Sequence, residues 1–160
     1  MVLNFLMAAV AGVIAQYVAV GLMAEGCREV MVENGGDIYL RRDEDCTVAI
    51  FAGESPLSLQ VGVKIAAEKM PLSVCTSSGT IGHSLSFGRA DSVTVIAASA
   101  ALADATATRI GNEVGRAAGK DSGIGQALEV GRAIEGVDGV VVICGEKIGA
   151  VGDVELVQIS

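Results

Sequence analysis

The stretch Arg28-Glu29-Val30-Met31-Val32-Glu33-Asn34-Gly35-Gly36-Asp37-Ile38-Tyr39-Leu40-Arg41 decides the fold class. Arg28 to Glu33 reads as a strand, and Asp37 to Arg41 alternates as a second one. Asn34-Gly35-Gly36 between them is a strong turn signal. Consecutive glycines let the backbone enter the left-handed region and bring amides close to a ligand with no Cβ in the way. An ordinary two-residue hairpin accounts for the same residues. The acidic residues Glu33 and Asp37 flanking the turn are less expected of a bare hairpin.

Upstream, Asn4 to Glu25 reads as a helix stopped by Gly26. Met1 to Ala24 is nearly long and apolar enough to span a bilayer, but no Lys or Arg precedes it, and Asn4 and Gln16 interrupt it. The expectation is a helix buried at the centre of the domain, thin because of its Ala and Gly, with no membrane span. Downstream, strands are expected over Thr47 to Ala52, Leu59 to Ile65, Leu72 to Cys75 and Ser92 to Ala97. Thr76 to Asp91 reads as a long polar loop. Ser99 to Val114 is expected to be a helix with Ser99 as N-cap, followed by a short helix over Ile124 to Ile134. Strands at Val140 to Cys144, Lys147 to Ala150 and Val154 to Ile159 close the chain. A meander of strands bracketed by helices points to an α+β fold with a mostly antiparallel sheet core. At 160 residues, one domain spanning 1–160 is expected.

The chain carries 11 basic and 19 acidic residues, a net charge of −8, and the basic residues are scattered. Nucleic acid is therefore an unfavourable partner, because its binding needs clustered cations. A phosphorylated ligand would have to be held by backbone amides and a bound metal. The four cysteines, Cys27, Cys46, Cys75 and Cys144, lack Cys-x-x-Cys spacing and read as reduced thiols of a cytoplasmic protein.

Three constellations could carry chemistry. The first is the Asn34-Gly35-Gly36-Asp37 turn. The second is Thr76-Ser77-Ser78-Gly79-Thr80, followed by His83, the sole histidine. Its hydroxyls and amides suit phosphate or ribose, and His83 could serve as a base near neutral pH; a solvated Ser/Thr turn is the alternative. The third is Asp104 and Thr108, four apart on one helix face, a hard-oxygen pair suited to Mg²⁺ or Ca²⁺. The wet side of an amphipathic helix explains that spacing too, with Ala103, Ala107 and Ile110 opposite.

Three separated strings, in order, carry a resemblance. AGVIAQYVAVGLMAEGCREVMVENGGDIYLR resembles the helix–strand–Gly-Gly-Asp–strand unit of ApbE-like flavin transferases. CTSSGTIGHSLSFGRADSVTVIA resembles their Thr-Ser-Gly loop and following strand, and ALADATATRIG their Ala-Asp-x-x-x-Thr metal-binding helix. The match is best to a branch of that superfamily set apart from its characterised transferases. The resemblance implies an ApbE-like α+β fold with a barrel-like core, and strands ahead of the first helix that this chain does not show. It implies FAD as substrate or ligand, a divalent metal (Mg²⁺ or Ca²⁺) and transfer of FMN to an acceptor protein or cleavage of FAD. A homo-oligomer covering an open sheet edge is also expected. Carried over, Asn34, Gly35, Gly36 and Asp37, with Thr76, Ser77, Ser78 and Gly79, would line the flavin pocket. Asp104, Thr108 and the carbonyl near Ala15 would hold the metal, and His83 would be the catalytic base. Two departures stand out. The family's Lys-Gly after Ile-Ala is Gln16-Tyr17 here, and its His-Ile-x-Asp-Pro segment is missing. A binding module without turnover, or a structural oligomer subunit, therefore stands beside the enzyme reading.

Overall fold

The computed structural model describes residues 7–78, 90–114 and 123–159. Helix α1 spans Val10–Ala24. It ends in a Schellman cap: Gly26, at φ +98°, donates to the Met23 carbonyl at 3.0 Å, and Cys27 donates to Leu22 at 3.1 Å. Only a residue without Cβ takes that backbone conformation at little cost, so the glycine fixes where the helix stops.

Strands β1 (Val30–Asn34) and β2 (Asp37–Arg41) form the expected hairpin, with Asn34 opposite Asp37. Gly35 and Gly36 sit at φ +65° and +98°, the signature of a type I′ turn. Strands β3 (Cys46–Ala49), β4 (Val61–Ile65), β5 (Leu72–Ser77) and β6 (Ser92–Ala97) follow. Helix α2 spans Ala100–Glu113, with the Ser99 side chain accepting from the Leu102 amide at 3.4 Å. Helix α3 (Gly123–Arg132) and strands β7 (Val137–Cys144), β8 (Lys147–Gly152) and β9 (Glu155–Gln158) complete the described chain.

The fold is α+β with antiparallel pairing throughout. A six-stranded sheet runs β1-β2-β5-β6-β7-β8, and a three-stranded sheet runs β3-β4-β9. Leu40, Val74, Ile96 and Ile143 of the larger sheet pack against Val48, Val63 and Ile65 of the smaller one. The opposite face of the larger sheet packs Val93, Val95, Val140 and Val142 against Ala103, Ala107 and Ile110 of α2 and Ala127 of α3. The large sheet is thus covered on both faces, which is why β6 and most of β7 are buried end to end. Among the described residues the two sheets stack, with β1 and β8 at the edges of the larger and β3 and β9 at the edges of the smaller.

Two expectations need correction. First, α1 is not a central buried helix: only Gly12, Ala15 and Ala19 are buried, while Tyr17 is 81% exposed. The helix lies in an outer layer over β1, β2 and α2 and has a single covered stripe, filled by its smallest residues. No helix among the described residues is long and apolar enough to cross a membrane. Second, Thr76 and Ser77 are not loop. They extend β5 and pair with Thr94 and Val93 of β6. The Thr76 and Thr94 hydroxyls meet at 3.0 Å, so a polar stretch continues the ladder through a cross-strand hydrogen bond.

Candidate functional site

The site is built where four elements meet: the start of α1, the β1–β2 turn, the end of β5 and the first half of α2. Asp37 opens β2 directly after the glycine turn, opposite Cys75 of β5. Antiparallel register puts both side chains on the helix-facing side of the sheet. Asp104 lies on α2, which covers that face. The two carboxyl groups are hydrogen-bonded to each other, and only 5% of Asp37 and 8% of Asp104 is exposed. The backbone supplies further donors. The Thr76 amide donates to Asp37 Oδ1 at 3.2 Å, and the Gly12 amide donates to Asp104 Oδ2 at 2.9 Å.

Burial, and then the charge of Asp104, push Asp37 up to about 7. Burial also raises Asp104, against the opposing Gly12 amide. The pair therefore holds a proton more tightly than ordinary aspartates do. Among the described residues no basic side chain pairs with either carboxylate. The Cys75 thiol donates to the Ala100 carbonyl at 3.8 Å and is itself pushed far up, first by burial and then by the two aspartates. It is an inert thiol, not a nucleophile.

Small residues make this meeting possible. A Cβ on Gly12 would lie 2.8 Å from the Ala100 carbonyl oxygen and 3.0 Å from Asp104 Cβ, so α1 crosses α2 at a point only glycine fits. A Cβ on Gly36 would lie 3.5 Å from the Thr76 carbonyl. Asn34 Nδ2 donates to the Ala11 carbonyl at 3.1 Å, tying the turn to the start of α1, and the Gly36 amide donates to Glu33 Oε1 at 2.7 Å. Gln16 Oε1 accepts from the Ala100 amide at 2.9 Å, so it anchors α1 to the N-terminus of α2.

Of the residues singled out from sequence, Asn34, Gly36, Asp37, Thr76 and Asp104 come together. Gly35 is at the exposed tip of the turn, and Ser77 and Ser78 continue half-exposed beyond Thr76. Asp104 points inward, so the wet-face reading of its helix fails. Thr108 lies half-buried one turn further along α2. Ala15 is fully buried inside α1, where its carbonyl faces the amide four residues on, and it packs with Ala100. The contact from α1 to Asp104 comes from Gly12 instead. Gly79 and His83 lie outside the described residues. Gly12 and Cys75 were not singled out from sequence as site residues, and Gln16 only as a departure from the family's Lys. Their signals were weak: one small residue among many, an amide inside an apolar helix, and a thiol one position before the Thr-Ser run.

A family profile described as AbpE bacteria matches residues 6–156, nearly the whole chain. The chain belongs to the AbpE family. Two relatives, the UPF0280 proteins of Methanococcus aeolicus and Methanococcus vannielii, are 45% and 48% identical over 150 and 151 residues. Each alignment covers 92% of this chain and 60% of the relative, so the chain spans about three-fifths of their length. Among solved structures, the apo flavinyl transferase ApbE of Pseudomonas stutzeri shares the fold at TM-score 0.58 and 20% identity. A variant of the flavin transferase ApbE of Vibrio cholerae gives TM-score 0.58 at 26% identity. Each covers 90% of this chain, which spans 46% of theirs. The AbpE chain thus has the fold of one part of these transferases.

Proposed function

We propose that this chain is a single ApbE-like domain that binds a flavin nucleotide, or a related phosphorylated cofactor, together with a divalent cation. The observation that carries this reading is the buried Asp37–Asp104 pair. Two carboxyl groups from distant segments are desolvated against each other, with no cationic side chain among the described residues to offset them. Such a pair is costly in isolation and well suited to a hard cation that takes oxygen ligands. The donor set fits Mg²⁺ or Ca²⁺: Asp37 and Asp104, with the Thr108 hydroxyl one turn along the same helix. Bound there, the cation would neutralise pyrophosphate oxygens, a role that a chain of net charge −8 without basic clusters leaves to a metal.

The chain's own residues supply the rest of the cradle. The turn at Gly35 and Gly36 lets a ligand approach the backbone closely, and Asn34 fixes that turn against α1. Thr76, Ser77 and Ser78 offer hydroxyls on the strand beside it. With His83 as the base, the reaction would be FMN transfer to an acceptor protein or cleavage of the FAD pyrophosphate. Mixing the protein with FAD and Mg²⁺ tests this directly. AMP release or a flavinylated product supports it; a chain that neither turns FAD over nor binds flavin refutes it.

A second reading is a binding module without turnover. Gln16 favours it. Where the resemblance calls for Lys, this chain has a side-chain amide that accepts from the Ala100 backbone amide. Tight flavin binding that is unchanged in His83→Ala, with no AMP released, would select this reading.

A further inference from the structure

Glu33 stands next to last in β1, and the proposed cation site makes no use of it. Its carboxylate folds back onto the turn: Oε1 accepts from the Gly36 amide at 2.7 Å, the length of a charge-assisted hydrogen bond. Glu33 pairs with Ile38, which pairs in turn with Val74, and Ile38 and Val74 pack toward the smaller sheet. Antiparallel partners share a face, so Glu33 leaves the sheet on that side, whereas Asp37 leaves it on the side of α2. The two carboxylates flank the turn from opposite sides, and Glu33 is no part of the buried pair. Among the described residues no basic side chain forms an ion pair with Glu33. The hairpin does not need a carboxylate there. Gly35 and Gly36 set the type I′ turn by themselves, and an exposed bond such as that from Gly36 adds little to stability.

We propose that Glu33 is a built-in stand-in for the ligand's phosphate: its carboxylate occupies the anion seat of the glycine turn, and the ligand displaces it on binding. This rests on the reading of the chain as a binder of a phosphorylated cofactor. A backbone amide between glycines at positive φ is what a phosphate oxygen takes in an anion-binding turn, and a carboxylate oxygen makes the same bond. Gly36 directly precedes Asp37, so an anion in the place of Glu33 lies beside the residue that would hold the cation. The self-cap lowers affinity, because the ligand exchanges one anion for another at the Gly36 amide and gains no free donor. The displaced carboxylate also stays close by, on a flexible side chain, and competes for the seat.

The test is a calorimetric titration with inorganic pyrophosphate, and then with FAD, in saturating Mg²⁺. The chains compared are the wild type, Glu33→Gln, Glu33→Ala and Glu29→Gln. Both Glu33 variants should bind about 10-fold more tightly than wild type, since no charge-assisted bond has to be broken for the ligand to enter. Glu29 accepts from the Asp43 amide at 3.1 Å and pairs with Arg42 at 3.6 Å, away from the turn. Glu29→Gln therefore removes the same charge and should leave affinity unchanged, which separates occupation of the seat from a general field effect. Mn²⁺ affinity should be equal in wild type and Glu33→Gln. A merely structural cap would give the opposite sign, because its loss loosens the turn and weakens binding. Glu33 variants that bind no more tightly than a wild type that does bind would overturn the self-cap alone. So would a Glu29→Gln that gains as much, or a loss of Mn²⁺ affinity in Glu33→Gln. Binding of neither pyrophosphate nor FAD by any of the four chains would overturn the self-cap together with the cofactor reading beneath it.

Discussion

Asp37 and Asp104 share one hydrogen bond in a buried position, although one opens the second strand and the other sits on the helix that covers the sheet. Everything nearby holds that contact: the glycine turn before Asp37, the Thr76 and Gly12 amides, and the close crossing of α1 over α2. A pair of acids held in this way has consequences for pH, for metal and for packing.

The pH dependence follows from the sign of the shifts. Both folded-state values lie above that of an unfolded aspartate, near 3.9. The metal-free pair therefore contributes its stability at low pH, and that contribution is lost as pH rises through about 7 for Asp37. The melting temperature of wild type minus that of Asp37→Asn should fall between about pH 4 and about pH 8. Asn at this position keeps an acceptor for the Thr76 amide and gains a donor for Asp104. A difference that is flat with pH would mean the pair does not titrate as described.

Metal should reverse that cost. In saturating Mg²⁺ at neutral pH the wild-type chain is expected to melt higher, with about 2.7 kcal/mol gained at 100 times the dissociation constant. Asp104→Asn should lose this increment while melting no lower than wild type in chelator, since one buried charge is gone. Thermal scans with and without Mg²⁺ give the answer.

The crossing of α1 and α2 is sterically set. Gly12→Ala must push a methyl against the Ala100 carbonyl and Asp104, at a cost of about 1–3 kcal/mol by analogy with other overpacked sites. Gly125→Ala, in α3 with nothing within 4 Å, should instead stabilise by roughly 0.5–1 kcal/mol through helix propensity. Urea denaturation of the two variants would show opposite shifts in midpoint.

At the turn, Gly36→Ala places a Cβ on a residue at φ +98° and should cost about 1–2 kcal/mol. Gly35→Asn, at φ +65°, should be nearly neutral, because Asn tolerates the left-handed region. If the turn also lines the flavin site, Gly36→Ala weakens FAD affinity by more than its stability loss accounts for, as a fluorescence titration of FAD would reveal.

Much of this was legible in the residues. The hairpin, β6, the Ser99 cap and the ends of α2 follow from alternation, turn chemistry and capping, which are local. The placement of Asp104 was not, because a four-residue spacing gives a face without saying which way it looks. The inward direction was set by α1 packing over α2 through Gly12. The exposure of α1 was equally hidden: an apolar helix rich in Ala reads as core until the sheet's helix-facing side is seen to need only its small stripe. Cys75 entered the site through strand register, which no local signal carries.

The most direct test of the central claim is an electron paramagnetic resonance titration with Mn²⁺, at neutral pH, of the wild-type chain and of Asp37→Asn and Asp104→Asn. The buried pair predicts saturable Mn²⁺ binding, competed by Mg²⁺ and lost or weakened by about 100-fold in either variant. Binding that is absent in the wild-type chain, or equal in all three proteins, would contradict the assignment of this pair as a cation site.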